Sequence, residues 1–402
     1  MTPPEPRQPI WLPVVVLTLV QVSIAFGVLS ISVLAPVLTK ELGVGLGFIG
    51  TYSAILWGTS LVTILLSGEL LARFGPTRMS QACCLGVALA LGVASTGSVV
   101  AVALCAAIIG LAAGPETPAS SQLLMRLTTP RQRPLIFSAK QTGLPGGAMC
   151  AGFILPLLLH TISWRGTLLV IAATAIIMAL AMEPIHRRYD NAALPVRPSA
   201  RRSILGGVVT SLRASVTWPG ILPLSLCALS FTCIQFCISI FLVSALVDRL
   251  SYTLVQAGTV MAVLQFAAVL ARVMVGGAAV RWVSPRTVMI ACGSGQIVAA
   301  LLLGLISPAW PGAAVVALAI FCGITTNGWN GVQLSECARL APPDRVGEIT
   351  SGTMVFGAIG VIIGPLTFGW LAGAAGIDTA FLVFSLVPLI GLWGIRKQTV
   401  VA

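Results

Sequence analysis

The sequence predicts an all-α integral membrane protein with twelve transmembrane helices in two pseudo-symmetric bundles of six. Three observations predict this fold class. Of the 402 residues, 57% are hydrophobic and only 8% are charged, with a mean hydropathy of +1.01, whereas about a quarter of the residues in ordinary globular domains are charged. Long apolar segments recur along the chain, and its second half repeats features of its first. A soluble enzyme and a disordered chain are both excluded by this composition.

Twelve apolar segments account for most of the chain, and a helix needs about 20 apolar residues to cross a bilayer. A long connection rich in Arg and Pro separates six segments from six. We therefore expect an N-terminal bundle at 1–183, a cytoplasmic basic linker at 184–217 and a C-terminal bundle at 218–402. The first segment is too long for a signal peptide and is expected to be retained. The segments cover 10–38, 47–72, 79–96, 99–125, 134–159, 165–183, 218–247, 253–280, 287–306, 311–338, 349–374 and 377–395.

The basic residues predict the orientation, because cytoplasmic loops of membrane proteins carry an excess of Lys and Arg. With the N-terminus in the cytoplasm, eighteen of the 23 basic residues fall on the cytoplasmic side. Only Lys40, Arg165 and Arg249 fall in outer loops, while Lys140 and Arg272 lie inside predicted helices. We predict a multi-pass membrane protein with both termini in the cytoplasm. The net charge of +12 then reflects topology, and no nucleic-acid partner is predicted.

The two halves of the chain repeat each other. The stretch from Gly68 to Arg78 aligns without gaps with the stretch from Gly276 to Arg286, and a second alignment places Arg126 on Arg339. Two six-helix halves of parallel topology are typical of one transporter architecture, whose site lies between the halves near the bilayer midplane. On these alignments Arg73 falls on Arg281, Gly50 on Gly258, Gly110 on Gly323 and Gly147 on Gly360.

The stretch from Gly68 to Arg78 resembles the signature that follows the second helix of the major facilitator superfamily, and nearly the whole chain looks like a permease of that superfamily. Ala72 stands at the acidic position of this signature, and Pro76 at its second basic position. In the family that acid meets the amino end of the eleventh helix and locks one conformation; here Glu69 is the candidate for this charge. The candidate gating residues are Glu69, Arg73, Arg78, Arg281, Glu336 and Arg339, the last two as an inner-gate charge pair.

Two further stretches, 138–145 and 328–343, resemble one bacterial branch of the superfamily whose members are mostly described only as permeases. This resemblance implies a location in a bacterial inner membrane. Drug/proton antiporters of the superfamily carry an Arg in the fourth helix shortly before a Gln-Gly pair, where this chain reads Ala107-Ile108-Ile109-Gly110. Their fifth-helix pattern Gly-Pro-x-x-Gly-Gly is replaced here by Gly143-Leu144-Pro145-Gly146-Gly147. Both departures count against drug efflux.

Three ionisable residues are predicted at membrane depth, where such groups are costly and usually functional. Counted from the nearest cytoplasmic Arg, Glu116 lies about 15 Å deep, Arg272 about 13 Å and Lys140 about 10 Å. Each aligns with a neutral residue of the other half. We interpret Arg272 and Lys140 as binding an anionic group of the substrate. Glu116 is the candidate proton carrier, because a carboxyl in a low-dielectric site can hold a proton.

Each of these residues also has a structural interpretation. Arg272 could pair with a carbonyl group or with Glu116, and Lys140 could extend to the inner interface. Glu116 could stabilise a kink, because prolines flank it and free backbone groups need partners. Polar and aromatic residues could line the site or serve helix packing. These further candidates are Gln21, Trp57, Gln141, Gln235, Gln265, Asn327, Trp329 and Asn330.

The first functional hypothesis is a secondary transporter that moves a small organic anion by alternating access, coupled to protons. The alternatives are an exporter of a drug-like or neutral metabolite, and a non-transporting sensor or assembly factor on the same scaffold. An enzyme is not predicted. The ten Cys lie almost entirely in apolar runs, without metal-ligand spacing to the two His, so we expect no metal and no cofactor. The expected partners are the substrate, protons and the lipid bilayer, and the expected state is monomeric.

Overall fold

The computed structural model describes residues 10–128, 136, 139–190, 212–281, 283–341 and 346–397. Nearly all of these residues are helical. In the N-terminal half the helices are α1 (Trp11–Val33), α2 (Ala35–Leu42), α3 (Leu46–Phe74), α4 (Pro76–Ala94), α5 (Val99–Ala113), α6 (Glu116–Leu127), α7 (Gly143–Leu158), α8 (Trp164–Ala181) and α9 (Glu183–Ile185), with a π-helical turn at His186–Asp190. In the C-terminal half they are α10 (Ile221–Leu250), α11 (Leu254–Arg281), α12 (Pro285–Gly304), α13 (Gly312–Asn327), α14 (Asn330–Leu340), α15 (Val346–Ala375), α16 (Ile377–Phe384) and α17 (Pro388–Lys397).

The predicted twelve-span helical fold is confirmed. Within the described ranges, eleven stretches are long and apolar enough to cross a membrane. The remaining span is α7, whose 16 residues follow further helical positions at 139–141. Four of the eleven stretches contain consecutive helices, namely α5 with α6, α8 with α9, α13 with α14, and α16 with α17.

Local sequence explains where the helices begin and end. The hydroxyls of Ser98, Ser163 and Ser284 accept hydrogen bonds from the backbone N–H three residues on, which caps α5, α8 and α12. Gly75 separates α3 from α4 with a φ of 77°, a left-handed value that favours glycine. Pro76 then opens α4, where its missing N–H is not needed.

The outward surface of the bundles is apolar. Large side chains such as Val100, Leu180 and Trp370 are largely exposed on the membrane-spanning helices. An exposed apolar surface of this extent is the surface that a bilayer covers.

The packing of the helices repeats between the halves. Helix α1 packs on α7 and α3 on α5 in the first half, just as α10 packs on α15 and α11 on α13 in the second. Glycines that align in the two halves allow these approaches. Gly147 abuts the backbone of α1 at Val22, and Gly360 abuts that of α10 at Leu229. The internal repeat seen in the sequence is therefore also a repeat of close helix contacts.

The two most extensive contacts between the halves, among the described residues, are related by the same repeat. Helix α3 meets α15 where Gly50 abuts the carbonyl of Pro365, and α7 meets α11 where Gly152 and Gly258 abut each other. A Cβ atom on Gly152 would lie 2.6 Å from the carbonyl oxygen of Gly258. Both contacts lie toward the side where α2 ends, so the halves are closed there.

Candidate functional site

A cavity of about 880 Å³ lies between the halves, within the size range of ligand sites. It extends from the level of Trp57 on α3 toward Ser67 on α3 and Ser351 on α15, away from the closed side. Seven of the predicted site residues line it, and they come from both halves: Gln21, Trp57, Glu116, Gln141, Gln235, Arg272 and Asn330.

Interruptions in two spans bring polar groups to the depth of the cavity. The fourth span breaks at Gly114 and Pro115, so that Glu116 begins α6. The tenth span breaks at almost the equivalent place, between Asn327 at the end of α13 and Asn330 at the start of α14. Interrupted helices at the midplane are a frequent way of building transporter sites.

Glu116 and Lys140 form a buried ion pair. The Lys140 Nζ atom lies 3.1 Å from Glu116 Oε2, and the two side chains are only 3% and 2% exposed for Glu116 and Lys140 respectively. The same oxygen accepts a hydrogen bond from the Thr117 hydroxyl at 3.3 Å. The other oxygen, Oε1, is buried and has no hydrogen-bond partner. Lys140 therefore does not extend to the interface, and its charge is balanced by Glu116.

Arg272 has a neutral partner. Its Nη2 donates to Asn327 Oδ1 at 3.2 Å, while its Nε is buried without a partner. Asn327 Oδ1 also accepts from Gln235 Nε2 at 3.0 Å, and Gln235 Oε1 accepts from Asn330 Nδ2 at 3.3 Å. This chain of amides holds the guanidinium at the cavity wall. Among the described residues, no carboxylate forms an ion pair with Arg272.

The remaining candidates divide between the cavity and the packed interior. Gln21 donates to Gln141 Oε1 at 3.2 Å. Trp57 meets Phe236 of the other half edge to face, with ring centroids 5.0 Å apart. A smaller pocket beyond this aromatic pair has a volume of about 30 Å³ and is lined by Gln265 and Asn327.

Trp329 lies outside both cavities. It is buried, donates to the Thr326 carbonyl at 2.8 Å and packs edge to face on Phe231. Lys140 also lies outside the lining, behind Glu116. The substrate-binding role assigned to each of them stays a prediction.

The sequence profile of the Major Facilitator Superfamily matches residues 17–365. The chain belongs to the major facilitator superfamily. This membership makes it a multi-pass membrane transporter rather than an enzyme. No curated protein sequence matches the chain significantly.

Solved structures of superfamily transporters share its fold. A mutant of the nucleoside transporter NupG is 14% identical with a TM-score of 0.80, covering 97% of this chain and 100% of that one. A POT family transporter in complex with 5-aminolevulinic acid is 13% identical with a TM-score of 0.78, covering 96% of each chain. A bacterial homolog of the human lysosomal transporter Spinster, inward-facing and occupied, is 13% identical with a TM-score of 0.77, also covering 96% of each. At these identities the likeness shows the fold alone.

Three of the predicted gating residues of this superfamily member, Arg78, Glu336 and Arg339, form ion pairs within one half. Arg78 Nη1 lies 2.9 Å from Glu183 Oε2, which ties α4 to α9. The side chain of Arg73 is exposed beside the ring of Phe74. Glu69 belongs to α3 and Arg281 to α11, but their side chains are not part of the described structure.

Glu336 and Arg339 do pair, with Arg339 Nη2 lying 2.7 Å from Glu336 Oε1 within one turn of α14. The hydrogen bonds and charge of Glu336 raise the pKa of Arg339 above its ordinary value. A gating role for this pair stays a prediction.

Sequence reasoning missed the hydroxyl groups of the site. Ser60, Ser121, Thr232 and Ser351 line the cavity, whereas the sequence prediction rested on charged, amide and aromatic residues. One sequence signal indicates one of these hydroxyls. The α3 positions that line the cavity, 57, 60, 61, 64 and 65, have the spacing of one helix face, so the helix face that contains Trp57 also contains Ser60.

Proposed function

We propose that this superfamily member is a secondary transporter that moves a small organic anion by alternating access, coupled to protons. The observation that carries the proposal is the state of Arg272. Arg272 is a half-buried side chain on the cavity wall, hydrogen-bonded to an amide and without a carboxylate partner among the described residues. A charge that is partly removed from water and has no counter-charge is unfavourable, and an anionic substrate would compensate it.

The charges around the cavity support an anionic substrate. Glu116 and Lys140 cancel each other, so Arg272 leaves the described site with one positive charge. A carboxylate suits this position, because the planar guanidinium can donate two parallel hydrogen bonds to its two oxygens.

Glu116 is proposed as the proton carrier. Its protonation would remove the negative charge that holds Lys140 and would make the site more positive. Anion and proton would then favour each other's binding, since coupling between two ligands is reciprocal. The titratable groups that interact with Glu116 from the packed elements are Lys140 and, on α4, Cys83 and Cys84. This coupling supports symport.

The orientation belongs to the same proposal. With both termini in the cytoplasm of a bacterial inner membrane, the closed side is the outer side and the cavity opens to the cytoplasm. Opening the outer side would separate the contacts of Gly50 with Pro365 and of Gly152 with Gly258.

One observation favours a neutral amphipathic substrate as the second candidate. Apolar side chains, including Ile24, Leu61 and Met354, form much of the cavity wall, and the aromatic pair of Trp57 and Phe236 lies at its closed end. Such a surface binds apolar or aromatic groups.

Binding of matched ligands separates the two candidates. Benzoate and benzamide, and hexanoate and hexanamide, have almost the same shape and differ in charge, so thermal shifts of the full-length protein in detergent can be compared pairwise. We expect the carboxylates to bind and the amides to bind at least tenfold more weakly, because the amides lack the charge that Arg272 requires.

Arg272→Gln should abolish the preference for carboxylates, and Arg165→Gln, which changes an Arg on the outer surface, should keep it. We expect carboxylate affinity to rise as the pH falls, and Glu116→Gln to remove this dependence. Equal binding of acids and amides would refute anion transport. Proteoliposomes that bind a carboxylate but do not take it up under an inward proton gradient would refute proton-coupled transport.

A further inference from the structure

We propose that a groove on the lipid-facing surface binds one acyl chain of a membrane phospholipid, and that this chain favours the closed state of the contact beneath it. This lateral groove has a volume of about 390 Å³ and lies between α7 of the first half and α11 of the second. No residue lines both the groove and the central cavity. The inference is therefore independent of what the protein transports.

One face of each helix forms the lateral groove. The lining positions are 149, 150, 153 and 154 on α7 and 259, 262, 263 and 266 on α11, and each set has the spacing of one helix face. Phe153 and Phe266 are more than half exposed, whereas Ala262 is buried and lies at the base. A Cβ atom on Gly152 would lie 3.1 Å from the backbone nitrogen of Ala262. The base of the groove is therefore the contact that joins the two halves.

The chemistry of the lateral groove matches a hydrocarbon chain. Seven of its eight lining side chains are apolar, and none is charged. The exception is Thr259, whose hydroxyl donates to the Val255 carbonyl of its own helix at 2.7 Å and needs no further partner. The groove therefore suits an occupant without polar groups.

The depth of the lateral groove is that of acyl chains. At 1.5 Å per residue, its α7 positions lie about 6–14 Å from the closed-side end of that helix at Leu158, and its α11 positions lie about 8–18 Å from the start at Leu254. Half of the hydrocarbon core of a bilayer is about 15 Å thick. The groove thus faces the chains of the closed-side leaflet rather than its headgroups.

A single chain fits this concave surface better than a helix does. The backbones of α7 and α11 are in contact at Gly152 and Gly258, and a helix with its side chains is about 10 Å across, too wide to enter between them. A lipid chain leaves an equally apolar environment when it enters the groove, so no hydrophobic gain holds it there. The gain is van der Waals packing on several walls at once.

The occupied groove is specific for one conformation. A chain in it touches both halves at once, through residues such as Phe153 on α7 and Phe266 on α11. Opening the closed side parts these two helices and with them the walls of the groove. The closed state therefore offers the chain a surface that the open state lacks, and a ligand shifts an equilibrium toward the state that it binds better.

Photocrosslinking of the full-length protein in phosphatidylglycerol nanodiscs tests the site. The probe is a phosphatidylglycerol with a diazirine in the middle of one acyl chain, and mass spectrometry maps its adducts. Adducts at 149–154 and 259–266 should be about fivefold more frequent than at Leu104, a 52%-exposed side chain at similar depth on α5. A phospholipid with the diazirine in its headgroup should show no such enrichment.

Variants locate the chain in the lateral groove. Cys150→Phe places an aromatic ring in the groove from α7, and Val263→Phe does so from α11. Each should reduce the enrichment to near the level at Leu104. Leu157→Phe is the matched control, because Leu157 is an exposed residue of α7 outside the groove lining, and it should keep the enrichment of the wild type.

A change at the other contact between the halves tests the link to conformation. Gly50 lies on α3, outside the groove lining, and abuts the Pro365 carbonyl on the closed side. Gly50→Leu should part the halves there, which maleimide labelling of single cysteines at the closed ends of the helices verifies. Adducts in the groove should then fall several-fold while those at Leu104 stay constant. Gly50→Ala should show the same change to a smaller extent.

Three results would overturn this inference. Adducts spread evenly over the exposed apolar surface would remove the site. Adducts in the groove that stay constant while the closed side opens would remove its link to conformation. A dimer that becomes a monomer in Cys150→Phe, but not in Leu157→Phe, would show that a second copy of this chain covers the groove instead of a lipid.

Discussion

Asn327→Asp is the sharpest single test of the anion site, because it adds a charge and changes almost no volume. The side-chain oxygen of Asn327 lies 3.2 Å from Arg272 Nη2. An aspartate there would give the guanidinium an internal carboxylate partner. The substrate's anionic group would then compete with this carboxylate for Arg272.

The size of the effect follows from the distances. At 3.2 Å and an effective dielectric constant of about 20, the new pair attracts by about 5 kcal/mol before desolvation. An anion in contact with Arg272 would lie about 6 Å from the new carboxylate and would be repelled by about 3 kcal/mol. The Kd for a carboxylate ligand should therefore rise by about 100-fold.

The assay is calorimetric titration with benzoate or hexanoate, next to thermal unfolding of the ligand-free protein. We expect weaker binding together with unchanged or higher heat stability, because Arg272 gains a partner. Asn327→Leu is the matched control: it removes the hydrogen bond, adds no charge, and should weaken binding only a few-fold while it lowers stability. If the aspartate variant binds carboxylates as tightly as the wild type, Arg272 does not form the anion site.

Three further changes test other parts of the structure. Glu116→Gln leaves the 2%-exposed Lys140 unpaired, so the free energy of unfolding should fall by about 3–5 kcal/mol in a thermal unfolding experiment. Adding Lys140→Met should restore most of this loss. Full stability of the single variant would contradict the buried ion pair. Gly152→Leu should push α7 away from α11, because even a Cβ atom at this position would lie 2.6 Å from the Gly258 carbonyl oxygen. Maleimide labelling of single cysteines at the closed ends of these two helices should therefore increase. Unchanged labelling would show that this contact does not close the cavity. Arg165→Ala should lower the free energy of unfolding by less than about 1 kcal/mol, because this ion-paired side chain is 49% exposed. A drop of many degrees in Tm would show that the ion pair of Arg165 with Glu41 matters more than its exposure suggests.

Part of the site could be predicted because charges in an apolar chain are few. Glu116, Lys140 and Arg272 stand out in any reading of the hydropathy, and two of them line the cavity. Their pairing could not be predicted. The alternative that Arg272 pairs with Glu116 was as reasonable from sequence as the ion pair of Glu116 with Lys140 that the structure contains. Depth along a helix follows from counting residues, whereas the direction of a side chain depends on how each helix is rotated.

The rotation of these helices is poorly encoded in their sequence pattern. In a soluble protein the apolar stripe of a helix marks the buried face. Here lipid covers the outer surface, so both faces are apolar: on α5, Leu104 is exposed and Ile109 is fully buried. Trp329 illustrates the consequence, because its position in the tenth span suggested the cavity and its side chain packs on Phe231 instead.

Composition and hydropathy establish the class of this protein and its twelve spans, because the bilayer requires long apolar helices and leaves few other solutions. The internal repeat of the sequence establishes its two related halves. The aligned glycines also mark close helix contacts before any coordinates are known, since only a missing side chain allows the backbones to approach. Tertiary structure decides which charges neutralise each other and which one is left for a ligand. Those choices depend on distances between segments far apart in the chain, such as the 3.1 Å between Lys140 and Glu116, and local sequence does not encode such distances.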